Sequence, residues 1–193
     1  MNNSKQKNNY FKYRNISEIT YKKYNLPKYL LNVLQGDFNL NILGIGCGFG
    51  QMLLALKEYG YKNLSGIDIS KEAVKSCKNN DLNVQLISNI QSFCSRYKGK
   101  KFDIILMSHV LEHLPKEDII ETISYIRNYL LAEDGRFIVM VPNAQSNTHA
   151  YWAYEDFTHN TLFTSGSIYY VLKLQVLKLL NFSIQKVQKV SIS

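Results

Sequence analysis

Apolar and polar positions along this chain fall into blocks, and the blocks switch repeatedly between strand-like runs and helix-like periods. Ile42, Leu43 and Ile45 make a short apolar run, as expected of a strand buried on both faces, and 51–59 follows with helical spacing. The succession recurs along the chain. A strand over 63–68 leads into a helix ending near Asn79, with Ser70 as its N-cap and Glu72 in its first turn. A strand over 83–87 precedes a short helix over 91–97. A strand over 102–107 precedes a helix that opens at Pro115, in which Ile119, Ile120, Ile123, Ile126 and Leu130 share one face. A strand over 136–141 is stopped by Pro142. The connection 143–164 is too long to be a mere link, so we expect it to carry function. A helix over 167–180 and a strand over 182–190 complete the pattern. This alternation predicts an α/β fold with a mostly parallel sheet and helices on both faces. Nothing repeats internally.

Composition narrows the class. With 193 residues, 46% apolar and 20% charged, the chain reads as one globular domain with a substantial core. No apolar run approaches a membrane span, and the start lacks a signal-peptide core, so the cytoplasm is the expected compartment. Cys47, Cys77 and Cys94 have no metal-like spacing and read as reduced thiols. The net charge of +8 invites a nucleic-acid reading, but the lysines are scattered rather than striped. Nucleic acid is therefore not the expected partner, whereas an anionic small molecule would be attracted. Residues 1–9 are polar and expected to be disordered. Segment 10–35 is rich in aromatics (Tyr10, Phe11, Tyr13, Tyr21, Tyr24, Tyr29) and ends in a helix near 28–34.

The most informative stretch is Gly44-Ile45-Gly46-Cys47-Gly48-Phe49-Gly50, where the first strand breaks into glycines before a helix. Glycines there permit unusual backbone angles and let a ligand approach the main chain, while the helix start offers free N–H groups. Spacing decides between ligands. A dinucleotide fingerprint needs a third glycine at Phe49, Gln51 or Leu53, and a phosphate loop needs a following Lys-Ser or Lys-Thr; both fail. What remains is a tight G-x-G-x-G turn. The second strand ends in Asp68, a carboxylate suited to the two hydroxyls of a ribose.

With these residues in view, the chain resembles the class I S-adenosylmethionine-dependent methyltransferases over roughly 41–190. The resemblance is carried by Gly46-Cys47-Gly48-Phe49-Gly50, Gly66-Ile67-Asp68-Ile69-Ser70, Phe102-Asp103-Ile104-Ile105, Ser108-His109-Val110-Leu111-Glu112-His113-Leu114 and Gly135-Arg136-Phe137. The stretch Glu155-Asp156-Phe157-Thr158-His159, followed by Phe163-Thr164, is similar to a subgroup acting on sugars and cell-surface metabolites. The resemblance implies a Rossmann-like fold and S-adenosylmethionine as cofactor, with S-adenosylhomocysteine as product. It divides the chain into a tail and cofactor-covering lid over 1–35 and a cofactor-binding domain over 36–193. Gly46 and Gly48 would pack against the methionine and ribose portions, with Cys47 a small filler within the turn. Asp68 would accept from the ribose hydroxyls, and Ile69 would lie against the adenine. Asn89, beside Ile90, would accept from the adenine amino group, and Ser108 would line the site. Two features depart from the family: Gly44 stands where an acid is usual, and the expected last antiparallel strand is missing. That leaves a truncated chain, or an edge covered by a partner such as a second copy.

Methyl transfer requires mainly that the acceptor be aligned and water excluded. An oxygen or nitrogen acceptor needs a base, for which His109 and His159 are the candidates, Asp156 orienting the ring of His159. H-x-x-E-H over 109–113 also matches an inverted zinc-protease motif. It follows a buried strand and precedes a proline restart, so a protease is not expected. No metal is expected overall, though some sugar-hydroxyl methyltransferases hold a divalent ion on a pair comparable to Glu112 and His113. The expected activity is methyl transfer to an oxygen, less readily a nitrogen, of a small polar metabolite of surface polysaccharide synthesis. An RNA methyltransferase and a non-catalytic binding module are the alternatives.

Overall fold

The computed structural model describes residues 24–34, 36–147 and 150–174. The polar tail, the aromatic positions before Tyr24 and the expected strand over 182–190 lie outside the described residues. In chain order the elements are α1 (Lys28–Leu34), β1 (Asn41–Ile45), α2 (Gln51–Tyr59), β2 (Asn63–Asp68), α3 (Lys71–Asn79), β3 (Val84–Leu86), α4 (Ile90–Arg96) and β4 (Phe102–Ser108). A 3-10 turn (Leu111–His113), α5 (Lys116–Tyr125), a π turn (Ile126–Leu130), β5 (Leu131–Met140), α6 (Ala150–Glu155) and α7 (Ser165–Leu174) follow.

The strands form one parallel sheet in the order β3-β2-β1-β4-β5. The order reverses between β1 and β4, the point at which open α/β sheets bind ligands beyond their strand ends. Each strand continues into a helix for a local reason. Ser70 Oγ accepts from Ala73 N–H at the start of α3, with Glu72 in the first turn. Gly50 opens α2 and Gly60 closes it, both left-handed, and the Gly60 N–H bonds Leu56 O and Lys57 O.

The chain forms two compact units. One runs to Ser108 and includes Tyr125–Val139; the other comprises His109–Ser124 and the chain from Met140. The first unit holds the sheet and its core. Ile42, Ile104 and Leu106 meet Leu30 and Leu34 of α1 and Leu56 of α2, while Val84 meets Leu53 of α2 and Val74 and Cys77 of α3. Side chains alternate along a strand, so Leu43, Ile45, Ile105 and Met107 point the other way. They are buried too, which accounts for the unbroken apolar runs.

Segment 28–34 forms the expected helix, which supplies Leu30 and Leu34 to the core, and Tyr29 packs against the same cluster. An Arg136 guanidinium N–H also bonds Val33 O. Several expectations shift. β5 begins at Leu131 rather than Arg136, and the long connection contains α6. Ile120 is exposed, whereas Ile119, Ile123, Ile126 and Leu130 are buried, so the apolar face is narrower than the run of isoleucines suggested. Among the described residues, no helix is long and apolar enough to cross a membrane.

The glycine at the start of α2 yields a comparative test. Gly50 has φ +83, and an added Cβ would lie 2.5 Å from Leu82 Cδ1 and 2.9 Å from Cys77 Sγ; Gly36 has φ +71 with nothing within 4 Å. Left-handed backbone costs a side chain about 1–2 kcal/mol, and overpacking adds roughly 1–3 kcal/mol. Gly50→Ala should therefore lose roughly 2–5 kcal/mol in urea unfolding and Gly36→Ala only about 1–2 kcal/mol. Equal losses would contradict the tight packing under the turn.

Candidate active site

The first unit gathers its expected binding residues at the carboxyl ends of β1, β2, β3 and β4. Gly46, Gly48 and Gly50 all have positive φ, giving the turn its sharp reversal. The turn is fastened to β2: Gly46 N–H and Cys47 N–H both bond Ile67 O, at 2.8 and 3.2 Å. The Asp68 carboxylate then ties both strand ends together. Its Oδ2 accepts from Gly48 N–H at 2.8 Å and its Oδ1 from Ser70 N–H at 2.8 Å. Burial raises the carboxyl above the ordinary 3.8, while the amides of Ser70, Gly48 and Ile69 pull it back. Two oxygens offer about four acceptor positions, so capacity for further donors remains.

Leu53 explains the glycine at position 44. A Cβ on Gly44 would lie 3.3 Å from Leu53 Cδ2, and one on Gly66, its register partner, 2.9 Å from Leu53 Cδ1 and from Cys47 Sγ. Leu53 thus lies across a two-glycine saddle; a side chain at 44 would press on it by a few tenths of an ångström, and one at 66 would force a larger shift. The Cys47 thiol is pushed far up, first by its hydrogen bond with Cys77 and then by burial. It is a space-filling thiol, not a nucleophile.

Ile69 is partly exposed directly after β2 and Ser108 ends β4, whereas Ile90 is buried. Asn89 serves its own helix. Its Oδ1 accepts from Ser92 N–H at 2.7 Å and caps α4. The oxygen expected to meet an adenine amino group thus already accepts one bond, from its own helix.

The second unit assembles a separate cluster from the 3-10 turn and the long connection. Glu112 is 1% exposed, and its Oε1 lies 3.3 Å from His109 Nδ1 and 4.0 Å from His159 Nε2. His109 is outward-facing at 64% side-chain exposure and sits at φ +54, a conformation costly for a non-glycine residue. Its N–H bonds Met140 O. The 3-10 turn is clamped from the connection: Asn160 N–H and Thr161 N–H bond Glu112 O, and the Asn160 amide bonds His113 O at 2.7 Å.

Hydrogen-bond order fixes the ring tautomers. Thr158 donates its hydroxyl to Asp156 Oδ1 at 2.6 Å, so its Oγ1 accepts from His113 Nδ1–H at 3.0 Å. His159 Nδ1–H donates to Ala153 O at 2.9 Å. Both rings thus carry the proton on Nδ1. Burial lowers the His113 pKa, against the raising effect of Glu112, and favours the neutral ring. Asp156, expected to orient His159, lies 3.9 Å from its Nε2; the Ala153 carbonyl orients that ring instead. The Thr158 and Asn160 roles are not evident from sequence. The Asp-x-Thr spacing is a signal for the first, since an aspartate commonly bonds two residues on; the Asn160 bond to His113 spans 47 residues and leaves none.

A family model described as a methyltransferase domain matches residues 14–176. The chain belongs to that family, the class I S-adenosylmethionine-dependent methyltransferases. It is 34% identical over 122 residues to a putative protein N5-glutamine methyltransferase of Methanocaldococcus jannaschii, covering 59% of this chain and 60% of that protein. It is 30% identical over 141 residues to a ubiquinone biosynthesis O-methyltransferase of Glaesserella parasuis, covering 64% and 58%. The matches thus span about three fifths of both relatives. Among solved structures, a SAM-dependent methyltransferase from Archaeoglobus fulgidus superposes with TM-score 0.65 at 23% identity, covering 86% of this chain and 79% of that one. The SAM-bound magnesium protoporphyrin IX methyltransferase of Synechocystis gives TM-score 0.63 at 17% identity, covering 91% and 86%. These likenesses establish the shared fold.

The connection separates structural from exposed positions. Asp156 is buried and holds Thr158 by two bonds, whereas neighbouring Phe157 is fully exposed. Asp156→Ala leaves two donors without their acceptor and should cost about 1–3 kcal/mol in denaturant unfolding. Phe157→Ala should stay within about 0.5 kcal/mol of wild type. A reversed order would refute the described loop.

Proposed function

We propose that this chain transfers a methyl group from S-adenosylmethionine to an oxygen of a small polar metabolite, a sugar, nucleotide-linked or phosphorylated intermediate of surface polysaccharide synthesis. The observation that carries the donor half is the Asp68 carboxylate. It is fixed by Gly48 N–H and Ser70 N–H at the end of β2 and retains capacity to accept from two ribose hydroxyls. The left-handed glycines beside it leave the main chain open to close approach. The residues therefore fit an adenosyl group, with Gly46 and Gly48 along it, Ile69 at the base and Ser108 lining the site. When bound, the cofactor supplies an electrophilic methyl on a sulfonium.

The acceptor half falls to His109, which follows Ser108 directly in the chain. Its imidazole takes the hydroxyl proton, and buried Glu112 at 3.3 Å stabilises the resulting imidazolium. The strained backbone of His109 supports a functional role for this position. The O-methyltransferase among the relatives supports an oxygen acceptor. The class of acceptor rests on the resemblance of the 155–164 connection to enzymes acting on sugars.

The full chain, incubated with methyl-labelled S-adenosylmethionine and a cell extract, should deliver label to the small-molecule fraction, in an alkali-stable ether. Label confined to RNA or protein would overturn the acceptor class. Asp68→Ala should abolish S-adenosylhomocysteine binding in calorimetry. His109→Ala should bind it as wild type does and lower kcat by roughly 10²–10⁴. Equal loss of binding in both variants would refute the division of roles. Burial raises the Asp68 pKa, so protonation removes its charge at a higher pH than for an ordinary aspartate. Cofactor affinity should be intact at neutral pH and fall as pH drops, starting above the usual carboxylate range. An affinity flat down to the ordinary value of 3.8 would contradict a direct role for Asp68.

A further inference from the structure

We infer that the groove between α3 and the edge strand β3 docks an extended segment of a partner protein rich in glutamate or aspartate. The groove holds about 400 Å³ and is lined by Lys71, Val74, Lys75, Lys78, Asn79 and Leu86. Charge that reads as scattered along the chain is ordered here. The three lysines stand at i, i+4 and i+7 of α3, so they share one helix face over about 10.5 Å of axis. Like charges three or four residues apart destabilise a helix, so the row opposes the stability of the element that carries it. All three residues are exposed, and none of their ammonium groups has a partner among the described residues. Lys57 and Lys101, by contrast, reach the carbonyls of Asp81 and Asn128. A row of cations kept without anions of its own selects carboxylates from outside.

The free edge gives the partner its shape. Among the described residues β3 is the last strand on its side of the sheet. Asn83 O accepts from Gly66 N–H and Ile87 N–H donates to Asp68 O, so both residues turn these groups toward β2. Direction alternates along a strand, and Val84 and Leu86 therefore turn their N–H and C=O to the free side. An extended chain can pair with those groups as an added strand. Its same-face side chains lie about 6.6 Å apart, close to the roughly 6 Å of axis between Lys71 and Lys75. Leu86 is 40% exposed beside buried Val74, an aliphatic strip that the methylenes of a glutamate would cover.

Other occupants fit less well. A second copy of this chain carries the same net charge of +8 and is repelled. Single-stranded RNA docks on aromatic platforms as well as cations, and no aromatic side chain lines the groove. An anionic lipid surface calls for clusters of about four to eight basic residues, whereas three line this groove. The groove lies outside the residues assigned to the cofactor, so its occupancy does not depend on the methyl-transfer reading.

A fluorescein-labelled decapeptide of alternating Glu and Thr, titrated with the full chain at low ionic strength, should show a saturable rise in anisotropy. Lys75→Glu should weaken its binding roughly tenfold, as should about 0.5 M salt. Lys100→Glu makes the same charge change at an exposed position before β4 and should leave the affinity unchanged. Lys75→Glu turns two repulsions, from Lys71 and Lys78, into attractions and reverses one pairing with Glu72. Urea unfolding should therefore show it no less stable than wild type, which separates lost docking from lost folding. Lys75→Gln, with a smaller loss in the same direction, replaces it if that check fails. On peptide binding, hydrogen exchange at the Val84 and Leu86 amides should slow, as edge pairing requires. No saturable binding, equal affinity in wild type and the folded Lys75 variant, or unaltered exchange at those amides would overturn the proposal. So would tighter binding of a decameric single-stranded RNA to the same lysines.

Discussion

A single carboxylate organises the carboxyl end of β2 in the first unit. Asp68 reaches back from the end of β2 to Gly48 N–H and forward to Ser70 N–H. It thereby joins the glycine turn, the strand end and the start of α3. Without it, the turn after β1 would keep the bonds to Ile67 O, the Cys77 thiol bond to Gly48 O at 3.3 Å and its own local contacts. The arrangement is costly in isolation, because burial disfavours the charge, and three amides compensate. A group held this way is fixed by bonds within the protein, and in the proposed adenosyl site this lowers the ordering cost of binding.

Packing beneath that carboxylate follows from small residues. Gly44 and Gly66 lie side by side in register, and Leu53 occupies the space their side chains would need. Cys47 lies against Gly66, and its thiol, hydrogen-bonded to Cys77, is held far above the usual thiol range. The second unit obeys a different logic. There the long connection is pinned to the 3-10 turn by backbone and amide bonds, so segments distant in sequence draw Glu112, His113 and His159 together.

Much of the first unit is legible in the sequence because its signals are local. The runs over 41–45 and 63–68 and the helix over 51–59 carry clear periods, and Ser70 caps α3 through a three-residue interaction. Misreadings arise where distant contacts decide. Nothing local reveals that Leu30 and Leu34 pack on Ile42 and Ile104. The cap that Asn89 makes on α4 is, by contrast, a local signal, carried by its three-residue spacing to Ser92. Residues 131–135 have no apolar run, so the early start of β5 is invisible to periodicity. Asp156 and His159 are close in sequence, yet the ring is oriented by a carbonyl that carries no side-chain signature.

The central claim is that the ends of β1 and β2 jointly grip an adenosyl group through Asp68. Amide NMR of the labelled full chain, titrated with S-adenosylhomocysteine, tests it most directly. Saturable shifts of the Gly48 and Ser70 resonances, the two amides that the carboxylate holds, are the predicted result. Unchanged Gly48 and Ser70 amides at saturation, or shifts confined to residues of the second unit, would contradict it.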